Sequence, residues 1–380
     1  MISTSFPSKG DGSEAAGAFA ADLAVELGRH IPVRVVAPGT HACRERFATG
    51  VEVYRFAAPD KPLSALSLRS PHDIAWMGRV LMGGQAATRA AVGDAPTAHQ
   101  LALWALPSGH WARRVSRSAG VPYSVWTLGS DIWTLGKVPL VKRYLRSVIA
   151  GATCVFSDGF GLARETEALG GRTVEFLASA RSLDVVERPE AGRGALYSLL
   201  FIGRWHPNKG VDLLMDALTM LGERDWARIR RVVICGGGPM ADAVLSAAER
   251  LRSQGRPVEM RGYVGAAEAA HLIGDADYLL IPSRIESIPV VFSDAIRNGC
   301  PVVTMPVGDL PRLVEGECTG IMAARVSAEA FAAALGRALA TSPSIFTHGM
   351  RRLAPVFSVQ EGIAPRILAL VHGSPAGRAT

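Results

Sequence analysis

Twice along this chain, short apolar runs alternate with segments of helical spacing, and a polar stretch containing Pro and Gly separates the two series. This pattern narrows the fold sharply. Strands divided by helix-length connections cannot pair as hairpins, so they form parallel sheets with helical crossovers. In the first series the strands are expected at Val33–Ala37, Val51–Phe56, His99–Trp104, Tyr123–Leu128, Thr153–Ser157 and Thr173–Leu177. A very short opening strand, Ile2–Ser5, precedes them. A parallel strand usually needs about five residues, so the true start is expected a few residues upstream. The helix Glu14–Leu27 carries small and apolar residues at helical spacing, and Gly28 suits its C′ position. Residues 179–195 read as a linker. Strands at Ser198–Gly203, Arg231–Cys235, Val258–Arg261, Tyr278–Pro282 and Pro301–Met305 follow, and beyond Ser327 only helices are expected.

The 380 residues suffice for two such cores. No apolar run reaches the roughly 18–20 residues that span a bilayer, and Met-Ile-Ser-Thr-Ser-Phe-Pro lacks the basic and apolar regions of a signal peptide. A cytoplasmic location is the expectation. The five cysteines are scattered and read as buried free thiols in a reducing compartment. The nine histidines form no metal-ligating pattern, so no metal is expected. The net charge of +7 comes mostly from residues 1–178. Lys137, Lys142, Arg143 and Arg146 interleave with Val138, Leu140, Val141, Tyr144, Leu145, Val148 and Ile149. On a helix this makes a basic rim around an apolar face. Such a face packs on its own sheet or touches an anionic membrane peripherally. No zinc-finger, RRM-like or helix-turn-helix signature accompanies the charge, so nucleic acid is not an expected partner.

Chemistry concentrates in two segments. In Phe201-Ile-Gly203-Arg204-Trp-His-Pro-Asn-Lys209-Gly210-Val-Asp212, a strand ends at Gly203 and a helix begins near Val211. The loop between them carries two cations beside a helix N-terminus, as a diphosphate requires. In Pro282-Ser283-Arg284-Ile-Glu286-Ser287-Ile288-Pro289-Val290-Val291-Phe292-Ser293-Asp294, Glu286 follows a strand. The backbone amides of Ser287, Ile288 and Val290 open the next helix toward an anion, with Pro289 in its first turn.

These segments resemble the retaining GT-B glycosyltransferases called family 4, in which a G-R-x-x-x-x-K-G element precedes an E-x7-E element. The resemblance covers most of 198–325. It implies two Rossmann-like, doubly wound parallel-sheet domains facing a central cleft. The N-terminal domain (1–178) takes the acceptor and the C-terminal domain (179–357) the donor, and a C-terminal helix (358–380) returns to the first. The implied reaction transfers a hexose, with retention, from a UDP- or GDP-sugar to a hydroxyl acceptor, with the nucleotide sugar as co-substrate and no metal. Arg204 and Lys209 would hold the diphosphate, Glu286 the sugar hydroxyls, and Asp294, in place of the second Glu, the ribose. Gly203, Gly236 and Gly238 would lie near the donor, and Tyr263 would lie in the loop beside the base. Gly10, Asp11 and Gly12 stand where the family has a glycine loop facing the donor.

Trp126-Thr-Leu128-Gly-Ser-Asp131 resembles the family's H-G-x-D segment, with Leu128 replacing the His. This leaves open a different donor sugar, a substitute from elsewhere, or a weakened enzyme. Asp131 either faces the acceptor or caps the following helix. His110, in Trp104-Ala-Leu-Pro-Ser-Gly-His110, is either an acceptor-side residue or a surface residue at a helix start. Gly236, Gly238 and Ala241 also fit G-x-G-x-x-A, with Glu259 about 20 residues on. That turn keeps a nucleotide-dependent oxidoreductase as one alternative, while Leu128 in place of the His and Asp294 in place of the Glu keep a nucleotide-sugar-binding protein without catalysis as another.

Overall fold

The computed structural model describes residues 1–8, 15–60, 63, 66–67, 69–183, 185 and 196–373. Of these, the residues up to 178 together with those from 359 onward form one unit, and residues 179–358 form the other.

The elements of the first unit are α1 (Ala15–Gly28), β1 (Val33–Gly39), β2 (Cys43–Ala48), β3 (Val51–Ala57), α2 (Pro71–Gly93), β4 (Gln100–Leu103), α3 (Ser108–Ala119), β5 (Tyr123–Thr127), α4 (Ser130–Trp133), α5 (Pro139–Ala150), β6 (Val155–Ser157), α6 (Phe160–Gly170) and β7 (Glu175–Phe176). The strands form two ladders, β1-β3-β2 and β4-β5-β6-β7. The opening residues join them. Ile2 bridges in parallel to Val36 of β1 and to Ala102 of β4. The Ile2 N–H donates to Leu101 O and the Ser3 N–H to Val36 O, while Leu103 and Val36 donate back to Ile2 O and Met1 O. The expected strand Ile2–Ser5 is thus reduced to one bridged residue, yet it occupies the centre of the sheet. The sheet reverses its strand order at this point, where ligands of doubly wound folds bind. Gly10, Asp11 and Gly12 lie outside the described residues.

Two features of this unit depart from expectation. Strand β2 pairs antiparallel with β3 at the sheet edge. Its sequence, Cys-Arg-Glu-Arg-Phe-Ala, is largely exposed and gives no apolar run to find it by. Gly28 ends α1 as its last residue rather than following it, and a Cβ there would meet Val51 Cγ2 at 2.7 Å. The core buries Trp111, Trp126, Phe56 and Phe156 completely.

The second unit comprises β8 (Tyr197–Ile202), α7 (Val211–Thr219), α8 (Glu223–Trp226), β9 (Ile229–Cys235), α9 (Ala241–Ser253), β10 (Val258–Arg261), α10 (Ala266–Asp275), β11 (Tyr278–Ile281), α11 (Val290–Arg297), β12 (Val302–Thr304), β13 (Gly320–Met322), α12 (Ala328–Leu339) and α13 (Thr347–Leu353). Its sheet has the order β10-β9-β8-β11-β12-β13, and every neighbouring pair is parallel. The order reverses between β8 and β11, so their carboxyl ends flank the switch point. Strand β13 has only three half-buried residues and escapes periodicity. The last helix, α14 (Ala364–Gly373), belongs to the first unit and packs on α1. All five cysteines are free, but only Cys235 and Cys300 are buried, and Cys318 is exposed. No helix among the described residues is long and apolar enough to cross a membrane.

Candidate active site

At the switch point of the second unit, two loops leave adjacent parallel strands and are tied together. From β8 the chain passes through Gly203 to Arg204. A short turn at Pro207–Lys209 then ends at Gly210, whose φ of +67° admits α7 at once. Only glycine fits here, because a Cβ would lie 1.9 Å from the Pro282 carbonyl oxygen at the end of β11. From the β11 side, the Arg284 N–H donates to Asn208 O at 2.8 Å. The Arg284 guanidinium grips the Asp212 carboxylate with two hydrogen bonds, at 2.8 and 2.6 Å, and also reaches Pro207 O at 2.7 Å. Asp212 sits in the first turn of α7, and the Arg284 pairing overcomes burial to hold its pKa below the ordinary value. A planar fork on a carboxylate fixes angle as well as distance.

This framework brings Lys209 and Glu286 together. The Lys209 ammonium donates to Glu286 Oε1, and the buried Ser283 hydroxyl donates to the same oxygen at 3.1 Å. Arg204, on the same loop, is exposed and makes no side-chain hydrogen bond or ion pair with a described residue. The N–H groups of Ser287, Ile288 and Val290 meet no acceptor among the described residues. Pro289 is the N-cap of α11, one position before the helical turn expected from sequence. The site therefore presents one free guanidinium, one ammonium and a row of unused amides, as an anion-binding helix start does.

Gly236 and Gly238, at φ of +142° and +145°, turn the chain from β9 past this loop. A Cβ on Gly236 would meet Gly203 O at 1.9 Å, and Trp205 N donates to Gly237 O at 2.7 Å. The glycines therefore serve close packing against the β8 loop. The half-exposed Tyr263 lies on the same turn, its hydroxyl donating to Gly237 O at 2.9 Å.

Asp294 departs from expectation. It is 1% exposed and paired with Arg181, from the segment read as a linker. Its Oδ1, the Arg181 Nε and the hydroxyls of Ser287 and Ser293 are buried without partners among the described residues. Burial outweighs Arg181 and Arg297 and raises the Asp294 pKa. Asp294 is thus an internal ion-pair partner in this structure, not a surface acceptor open to ribose hydroxyls. Sequence reasoning does not reach Arg181, Ser283 or the Arg284–Asp212 clamp. The last three residues lie inside the two quoted motifs, but the partner of Arg181 is 113 residues away.

In the first unit, Asp131 is also closed off. It is 1% exposed and accepts from Ala105 N at 2.7 Å and Leu128 N at 3.3 Å, so it latches the loops after β4 and β5 together rather than facing an acceptor. Burial, the largest influence, lifts its pKa to about 6 against those amides. His110 is half-buried, with Nδ1 2.5 Å from the Tyr144 hydroxyl. In α5, Leu145, Val148 and Ile149 are buried, whereas Val138 and Leu140 beside the basic residues are exposed. No group of three or more metal-ligating side chains gathers among the described residues.

Residues 197–341 match the family model described as glycosyl transferases group 1. The D-inositol 3-phosphate glycosyltransferase of Salinispora tropica is 30% identical over 220 residues, 54% of this chain and 42% of that protein. That of Corynebacterium aurimucosum is 36% identical over 152 residues, 39% of this chain and 36% of that protein. The chain thus spans less than half the length of these relatives. Among solved structures, the sucrose-phosphate synthase of Thermosynechococcus elongatus superposes with a TM-score of 0.73 at 16% identity, covering 98% of this chain and 97% of that one. HepE of Anabaena, solved in complex with UDP, gives 0.70 at 15% identity and 98% of both chains. Residues 197–341 of this chain are thus similar to the glycosyl transferases group 1 family, and the described chain has the GT-B fold of these solved structures.

Proposed function

We propose that this protein is a retaining glycosyltransferase that moves a hexose from a UDP- or GDP-sugar to an acceptor hydroxyl on a glycan, lipid-linked or small-molecule substrate. One observation carries the reading: Lys209 meets Glu286 at the β8–β11 switch point, beside Arg204 and the amides of Ser287, Ile288 and Val290, none of which has a partner among the described residues. These groups suit a diphosphate joined to a sugar, and no metal is needed to neutralise it. Lys209 would exchange part of its bond to Glu286 for the diphosphate, freeing Glu286 for sugar hydroxyls. The bond between the anomeric carbon and the diphosphate oxygen breaks, and its electron pair leaves with the nucleotide. The acceptor oxygen attacks from the same face, and its proton passes to the departing phosphate oxygen. Charge on that oxygen peaks in the transition state, so its neutralisation is the main catalytic demand. The UDP held by HepE favours this donor class.

The test is turnover of UDP- and GDP-sugars, by donor hydrolysis and by transfer, in Arg204→Ala, Lys209→Ala and Glu286→Gln chains. Each is expected to lose about 10²–10³-fold in kcat with its fold intact. Parental rates in the two cation variants would overturn the assignment. We further propose a cytoplasmic protein that touches anionic membrane through Lys137, Lys142, Arg143 and Arg146. Unchanged binding of a Lys142→Glu/Arg143→Glu chain to anionic vesicles would refute that contact.

A further inference from the structure

Within the first unit, α2 and α3 flank an open surface cavity of about 440 Å³ that the donor-site reading leaves unused. Its walls carry an unusual combination of groups. Arg89 from α2 and Arg114 from α3 line it, both exposed, and neither makes a side-chain hydrogen bond or ion pair with a described residue. Among the described residues, no acidic side chain lines it. Gln85 also lines it and is only 8% exposed, yet neither Nε2 nor Oε1 of its carboxamide has a partner among the described residues. Leaving such groups buried and unsatisfied is costly, and a polar ligand in the adjoining cavity would relieve it. On the outer side, Leu81 and Met82 are 45% and 69% exposed, an apolar rim continuous with the basic pair.

The cavity is preformed. The Trp111 ring of α3 lies so close on Gly84 of α2 that a Cβ there would meet it at 2.3 Å, and Trp111 Nε1 donates to Leu81 O at 3.0 Å. His110 closes one side, positioned by Tyr144. Two guanidiniums with no ion pair and no competing carboxylate among the described residues select an anion, and their planar forks match phosphate oxygens. An apolar wall beside a few convergent polar groups suits a ligand with a hydrocarbon part.

We infer that this cavity binds a phosphate-bearing amphiphile, with its phosphate between Arg89 and Arg114, the Gln85 carboxamide turned onto it, and its hydrocarbon chain along Leu81 and Met82. The inference is independent of the donor site. The phosphate belongs either to a soluble ligand or to a lipid headgroup.

The test uses the full chain and calorimetric titration with octyl phosphate, octyl glucoside and inorganic phosphate. Octyl phosphate is expected to bind, inorganic phosphate to bind more weakly, and octyl glucoside not to bind. An Arg89→Ala/Arg114→Ala chain should keep its melting temperature, since neither side chain has a partner among the described residues, and should lose about tenfold or more in octyl phosphate affinity. Gln85→Leu should lose severalfold. Co-sedimentation with phosphatidylcholine vesicles, with and without phosphatidate, separates the sources. Retention that depends on phosphatidate and on Arg89 and Arg114 identifies a lipid headgroup, and its absence beside octyl phosphate binding identifies a soluble ligand. No binding of octyl phosphate, equal binding of octyl glucoside, or unchanged affinity in the double variant would each overturn the inference.

Discussion

Replacing Gly210 with alanine tests whether the active-site loops depend on one close backbone approach. Two separable costs arise. A left-handed φ of +67° costs a residue with a Cβ roughly 1–2 kcal/mol. The new Cβ would also lie 1.9 Å from Pro282 O, and contacts under 3.0 Å are not tolerated, so the β8 and β11 loops must part by about 1 Å. That overlap adds roughly 1–3 kcal/mol. Gly255→Ala separates the two costs, because Gly255 has a similar φ of +76° and a Cβ added there would meet no described atom within 4 Å. Gly255→Ala should lower Tm by a few degrees, at about 2–4 °C per kcal/mol for a unit of this size, and leave turnover unchanged. Gly210→Ala should lower Tm by roughly twice as much or more. It should also cut kcat by about 10²-fold, the scale expected for a 1 Å displacement of catalytic groups. Calorimetry and donor-turnover kinetics on both variants provide the measurement. Equal Tm and equal turnover in the two variants would refute the argument that the Gly210–Pro282 contact sets the Lys209–Glu286 geometry.

Arg284→Ala removes the fork on Asp212; both side chains are about a third exposed, so the stability loss should be small, about 1 kcal/mol, while kcat falls about tenfold because Lys209 loses its framework. Arg181→Met leaves the buried Asp294 charge unpaired and should cost about 3–5 kcal/mol, and adding Asp294→Leu should recover most of it in denaturant unfolding. Asp131, with its pKa raised from 3.8 to about 6, favours the folded state most when protonated. Its contribution is therefore full below about pH 4 and is lost as pH rises through about 6, by about 3 kcal/mol in all. Asp131→Asn should flatten that part of the stability profile, measured by urea unfolding from pH 4 to 7; an unchanged slope would contradict the assignment.

The sequence alone was most informative where chemistry and local pattern coincide. The strands flanking the candidate site, β8 and β11, lie within one residue of their expected bounds at either end, because buried parallel strands read as apolar runs. That Arg204, Lys209 and Glu286 lie on loops leaving those strands was legible for a similar reason: each follows its strand within a few residues. Two edge strands were not legible. Strand β2 is exposed and charged, and β13 is too short to show a period.

Spacing also could not say which carboxylates stay open to a ligand. Asp131 and Asp294 sit in motifs as recognisable as that of Glu286, yet each is 1% exposed, one held by backbone amides and the other by Arg181. Local sequence determined the two alternating series and the cation-bearing loop, since both depend on residues within a few turns of one another. Tertiary structure decided that a single bridged residue, Ile2, completes the first sheet, that Lys209 finds Glu286, and that Arg181 closes off Asp294. Those outcomes join groups far apart in sequence, and the burial that sets their charge and accessibility exists only once the strands have paired.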